Sequence, residues 1–152
     1  MMTIARLELA ACLFLVKLTN KVLAALKEIV DSVKLWTDSS IVLSWINTSP
    51  HLLKTFVANR VSQIQQLSKD FQWRHISSEC NPADTLSRGL DAKTLAACEL
   101  WWNGPGPSTP DISKQDAVEI PIISSDKLYY SELKTVSKVT LTTHNSDFLN
   151  IC

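Results

Sequence analysis

Glycine is scarce in this chain: three residues in 152, none before Gly89. From Ile4 to Val30 there is no proline either, and Leu, Ala, Lys and Glu dominate. Nothing there interrupts a helix, so a long helix is expected over that stretch. A surplus of one charge is also missing, because 15 basic and 15 acidic residues cancel. A neutral chain offers no overall field for nucleic acid, although a local basic patch stays open to it. The four cysteines, Cys12, Cys80, Cys98 and Cys152, lie far apart, with no C-x-x-C and no zinc-finger spacing to histidine. That pattern argues against a disulfide scaffold and for free thiols in an intracellular protein, cytoplasmic or nuclear. Long hydrophobic runs are absent as well. The run from Leu9 to Val16 holds only eight residues before Lys17 closes it, far short of a membrane span. Arg6 ahead of that run admits a cleaved signal peptide as a rival reading; the run is read here as a buried helix face. No internal repeat is visible, and the length allows one domain, or one domain and a tail.

What is present alternates. The first half of the N-terminal helix is apolar nearly all round and is expected to be deeply buried. Its second half turns amphipathic, with Val22, Leu23, Leu26 and Val30 on one side. Val33-Lys34-Leu35-Trp36 reads as a strand that ends at a helix start, Thr37-Asp38-Ser39-Ser40. A short helix follows over Ile41–Ile46, and Asn47-Thr48-Ser49-Pro50 stops it. Leu53, Phe56, Val57, Val61, Ile64 and Leu67 recur at three and four, which specifies an amphipathic helix. Phe71 to Ile76 alternates as a strand should. Asn81 then suits an N-cap and Pro82 the first helical position, for a helix ending near Gly89. Another short helix is expected over Ala92–Leu100. The character changes at Trp101-Trp102-Asn103-Gly104-Pro105-Gly106-Pro107. Residues 101–152 read as a linker and a weakly ordered tail, with Trp101 and Trp102 anchoring it to the domain. Trp36, Trp45 and Trp73 are expected in the core. Helices alternating with strands argue an α/β layer, yet two strands are too few for a stable sheet. The chain reads as an incomplete fold whose earlier strands lie elsewhere.

Three acids stand out. Glu8 sits in the most apolar part of the first helix with no local base, and burying it unpaired would be costly. Arg88 or Lys17 could neutralise it from elsewhere in the fold; otherwise a divalent cation or a site needing a carboxylate would. Asp38 follows a strand, at the end where α/β sheets bind ligands, but it could equally be an N-cap. Asp84 lies in the first turn of the Asn81 helix, where the dipole alone would favour a carboxylate. Three carboxylates at strand ends and helix starts suit hard Mg²⁺. A pair of such ions can activate water and stabilise the leaving oxygen of a phosphodiester.

Five stretches carry a resemblance. Thr3-Ile4-Ala5-Arg6-Leu7-Glu8-Leu9, Leu35-Trp36-Thr37-Asp38-Ser39, Lys54-Thr55-Phe56-Val57-Ala58-Asn59-Arg60-Val61, Trp73-Arg74-His75 and Asn81-Pro82-Ala83-Asp84-Thr85-Leu86-Ser87-Arg88-Gly89 resemble the ribonuclease H region of BEL/Pao-type retrotransposon polyproteins. Leu100-Trp101-Trp102-Asn103-Gly104-Pro105 resembles the segment between ribonuclease H and integrase, and Asn145 to Leu149 more weakly resembles the approach to the integrase zinc region. The resemblance spans residues 3 to about 106. It implies a partial ribonuclease H-like domain over residues 3–100, a mixed sheet flanked by helices. Residues 101–152 would then lead toward an integrase. It implies that Glu8, Asp38 and Asp84 are the catalytic, metal-ligating acids holding two Mg²⁺ ions that cleave the RNA strand of an RNA–DNA hybrid. Upstream reverse transcriptase and downstream integrase segments would be partners, with no membrane.

Two departures accompany it. The family's first aspartate lies on a strand ahead of the long helix and touches both metals; this chain begins at the helix. The mobile-loop histidine is also absent, with Glu79 near its place, and His75 is read as a partly exposed strand residue. The expectation is therefore an inactive or nearly inactive chain, poorly stable alone, with the apolar face of its first helix uncovered. Lys54, Asn59, Arg60 and Arg88 are the candidate phosphate contacts, against a solvated helix face as the plainer reading of Lys54 and Arg60. The rival from another class is a non-catalytic module binding nucleic acid or protein on the same fold.

Overall fold

The computed structural model describes residues 2–26, 29–104 and 126–135. Among them the chain is mixed α/β, with seven helices and a two-stranded parallel sheet. The helices are α1 (Ile4–Ala25), α2 (Ser40–Ile46), α3 (Thr55–Leu67), α4 (Pro82–Ser87), α5 (Ala92–Ala96), α6 (Glu99–Asn103) and α7 (Lys127–Ser131). The strands are β1 (Val33–Thr37) and β2 (Phe71–His75). None of these helices is long and apolar enough to cross a membrane.

Thr3 caps α1 by accepting from the Arg6 amide at 3.4 Å, and the helix runs 22 residues. It stops at Ala25, short of Val30, because Leu26 takes an extended ψ of 117° that releases the chain toward β1. Helical steps of 100° put Ala5, Leu9, Cys12 and Val16 on one face, and all four are buried. They join Val57, Val61 and Ile64 of α3 and Val42, Trp45 and Ile46 of α2 in one core. Polar ties fix the angles between these helices. Asn20 donates to the Leu67 carbonyl at 3.0 Å, and Gln65 donates to the carbonyls of Ile46 and Thr48 at 2.7 and 3.0 Å. Those last carbonyls belong to the end of α2, where helical partners run out.

The strands pair in parallel, Val33 opposite Phe71 through Thr37 opposite His75, and α2 and α3 form the crossover that a parallel pair requires. Alternation puts Val33, Leu35 and Thr37 inward and Lys34 and Trp36 outward. Parallel sheets are ordinarily covered on both faces, but here Trp36 is 37% exposed. The core position expected for Trp36 is therefore wrong: it lies on the strand's outward parity. Trp45 is fully buried, and the Trp73 indole donates to Ser68 Oγ at 3.1 Å.

Two further expectations need correction. The first half of α1 is not buried all round. Ile4, Leu7 and Phe14 there, with Leu18 and Val22 in the second half, are 47–76% exposed and fall, with Ala11, on the side opposite the core stripe. Helices α2 and α3 cover only one side of α1. The weakly ordered tail does not extend through residues 126–135. Asp126 caps α7 through the Leu128 amide, and Leu128, Tyr129 and Leu133 pack on the core. Leu133 bridges Leu53 in antiparallel fashion. The other residues beyond Gly104, including Asn145 to Leu149, lie outside the described set. Trp102 bonds the Leu95 carbonyl at 3.1 Å, so it ties α6 to α5.

The two-sidedness of α1 gives a direct test. Leu9→Ala should cost about 3 kcal/mol by loss of transfer energy plus a cavity. Leu7→Ala, two residues away and exposed, should change stability by about 0.5 kcal/mol or less. Urea midpoints of the two variants check this; equal losses would contradict the placement of α1.

Candidate functional site

The carboxyl end of the parallel pair gathers the polar groups. Ser39, not Asp38, caps α2, accepting from the Val42 amide at 3.4 Å. Thr37 Oγ1 accepts from the Ser39 amide at 3.2 Å. The Asp38 carboxylate is thus released from backbone capping. It accepts from Ser78 Oγ at 3.4 Å across from the loop after β2, while its own carbonyl lies 3.2 Å from His75 Nε2. The capping explanation for Asp38 therefore fails, since Ser39 is one residue closer to the first free amides.

Helix α1 brings the second acid. Cys12 is buried one turn beyond Glu8, beside Thr37. Its thiol is pushed up to about 11 by burial, partly offset by a hydrogen bond with Thr37, and further raised by the negative charges of Glu8 and Asp38. Both acids therefore act on one thiol although 30 residues separate them in the chain. Neither Arg88 nor Lys17 neutralises Glu8, and among the described residues no ion pair reaches it. Glu8 is half-buried and keeps contact with solvent, which makes its charge tolerable without a partner.

Asp84 stands differently. Asn81 caps α4 as expected, with Pro82 at the first position, and Gly89 follows α4 in the left-handed region at φ 79°, a usual helix stop. The Asp84 carboxylate is committed to Arg88 at 2.9 Å, an i,i+4 pair on the same short helix. Arg88 is thus occupied internally. Lys54 and Asn59 are exposed on α3, and Arg60 lies 3.5 Å above the Phe56 ring. Among the described residues no group of three or more His, Cys, Asp and Glu is placed to hold a metal ion. The acids as they stand do not fit a two-magnesium centre: two share a neighbourhood and the third is paired with arginine.

Thr37, Ser78 and Cys12 escaped the sequence reading. Cys12 could have been found from its i,i+4 spacing to Glu8; the other two carry no sequence signal. At the opposite end of the strands an open depression of about 310 Å³ is lined by Leu23, Val30, Val33, Phe71, Asp31 and Asp70, with Ser32. It lies away from the ends where such sheets usually bind ligands. In comparisons with known proteins, no family model, no curated protein and no solved structure matches the chain.

The thiol supplies a pH test. A group held protonated in the folded chain stabilises it fully below its unfolded value near 9.0 and loses that contribution as pH rises toward about 11. Folding stability should therefore fall across that window, by up to roughly 3 kcal/mol from this group. Cys12→Ala should remove that part of the slope, as urea titrations at stepped pH would show. Cys80 and Cys98, both partly exposed, should react with a thiol reagent well before Cys12.

Proposed function

We propose that the chain is part of a ribonuclease H domain of a BEL/Pao-type retrotransposon polyprotein, and that it cannot cleave RNA–DNA hybrids alone. The observation that carries this reading is that Glu8 and Asp38 both act on the Cys12 thiol, which lies beside Thr37 at the carboxyl end of a parallel strand pair. In the family those positions are the helix glutamate and the central-strand aspartate. The family's third acid, at Asp84, is held by Arg88, and the first-strand aspartate has no counterpart among these residues.

Two further features support the reading. Among the described residues the sheet pairs β1 only with β2, so within that set the other edge of β1 offers unpaired amides and carbonyls. The outer face of α1 carries five exposed large apolar residues, more than a solvated helix face needs. Additional strands beside β1 and against α1 would satisfy both. They would also bring the missing carboxylate to the edge where Glu8 and Asp38 already sit. Residues 101–152 would then lead toward the integrase, and RNA–DNA hybrid would be the substrate of the completed domain.

The alternative, a binding module that never cleaves, is separated by complementation. The chain alone should show no multiple-turnover cutting of a hybrid in Mg²⁺. Adding the first three strands of a related ribonuclease H, as a separate polypeptide or a fusion, should restore cutting. Glu8→Gln or Asp38→Asn should abolish it again. Cutting by the unsupplemented chain that Asp38→Asn removes would refute its inactivity. A folded, complemented chain that still does not cut would favour the binding module.

A further inference from the structure

Arg6 and Arg60 meet over one aromatic ring, and Lys54 stands at the start of the helix that carries it. The Arg6 guanidinium lies 4.9 Å and that of Arg60 3.5 Å from the centre of Phe56. Lys54 is the N-cap of α3 and makes no side-chain cap bond. The start of this 13-residue helix therefore faces the corner without a side-chain acceptor of its own. The corner is filled from far along the chain. Glu132 Oε1 accepts from Arg6 at 2.8 Å, with the Glu132 side chain only 6% exposed. Its second oxygen is buried with no hydrogen-bond partner. The Glu132 carbonyl accepts from the Lys54 amide at 2.7 Å.

We propose that this corner is a phosphodiester-binding site which Glu132 holds closed, and that residues 126–134 are its displaceable internal occupant. The nucleic acid named as its ligand rests on the functional reading above; the corner and its occupant do not. A phosphodiester offers what Glu132 offers, one negative charge on two oxygens, and guanidinium groups bind such anions with paired donors. It would also take the Lys54 amide at the start of α3, where anions are favoured. Glu132 uses the corner incompletely. It satisfies one oxygen on Arg6 and strands the other, and it leaves Lys54 and Arg60 without an ion pair among the described residues.

The occupant is built to leave. Helix α7 has five residues, too few to persist without its contacts. Among the described residues, outside Arg6 and the packing of Leu128, Tyr129 and Leu133, its attachments to the rest of the fold are the two bonds to the Leu52 and Lys54 backbone and one between Tyr129 and Thr48 at 3.1 Å. A short segment held this way opens locally without unfolding the domain. A site open about one tenth of the time binds about tenfold more weakly than its intrinsic affinity.

Fluorescence anisotropy of a short labelled RNA–DNA hybrid, with the full chain in EDTA, tests the proposal. Glu132→Gln should tighten binding about tenfold. Glu99→Gln, which removes an exposed acid elsewhere, should tighten it far less. Tyr129→Phe should shift affinity in the same direction by loosening the segment without changing charge. Arg60→Ala added to Glu132→Gln should cancel the gain. Circular dichroism reports folding, and if Glu132→Gln does not fold, Tyr129→Phe decides. Equal effects of Glu132→Gln and Glu99→Gln, or no gain from Tyr129→Phe, or a gain that survives Arg60→Ala, would make Glu132 a structural strut and overturn the proposal. The assay needs no cutting and no metal, so failed complementation leaves it untouched, and its own failure leaves the nuclease reading standing.

Discussion

The docking of α1 on α3 is the contact from which the other placements follow. Ala5, Leu9, Cys12 and Val16 form a stripe that fits against Val57, Val61 and Ile64, and a helix seated by one stripe has no rotational freedom left. Seating it this way turns Glu8 and Cys12 toward the end of β1 and sets Arg6 over Phe56. It turns Ile4, Leu7, Phe14, Leu18 and Val22 outward. A helix of lower hydrophobicity would have hidden one face and solvated the other. This one is apolar on both, so half of its driving force for burial is unspent within the described residues. That imbalance is what the proposed additional strands would relieve.

Electrostatics at the strand ends follow from the same seating. Asp38 is free to act as a charge because Ser39 does the capping, and Glu8 is free because no base shares its face of α1. The thiol beside them resists ionisation, chiefly because burial desolvates its thiolate and to a lesser degree because both carboxylates repel it. Asp84 shows the opposite solution. Its charge is balanced by Arg88 one turn away, a pair of modest value because Arg88 is exposed. Releasing Asp84 from that pair is energetically slight, so its present commitment sets no large barrier to a different role in a fuller assembly.

Much of the layout was legible. Turn and cap chemistry at Asn81-Pro82 and period-three-and-four spacing from Leu53 to Leu67 located α4 and α3 within two residues, and alternation located both strands. The expected single helix over Ala92–Leu100 divides, since Ala97 and Cys98 leave helical continuity and Cys98 caps α6. What stayed illegible depends on pairing across distance. Apolarity on all sides of α1 gave no clue to which side would be covered. Thr37 and Ser78 look like ordinary loop polars until Asp38 lies between them. Glu132 sits in a stretch whose composition reads as linker, and only Asp126 before Lys127-Leu128-Tyr129-Tyr130 hinted at a capped helical turn.

Glu132 and the three acids also differ in how their burial is compensated, and the difference separates structure from function. Glu8 and Asp38 keep partial access to water, which solvates a carboxylate that has no matching base. Glu132 is almost wholly enclosed, with one oxygen paired to Arg6 and the other unmatched. Removing one partner of such a buried pair is costly, yet replacing the pair by apolar groups is often harmless. A purely structural clasp would therefore be expected at Arg6 in apolar form, from Leu128, Tyr129 and Leu133 alone. A carboxylate stands there instead, paired with Arg6, which shares the Phe56 ring with Arg60. Its chemistry matches the corner's preference for an anion better than it serves the clasp's own stability. That mismatch, more than the ion pair itself, is what marks residues 126–134 as an occupant of a site and not merely an edge of the fold.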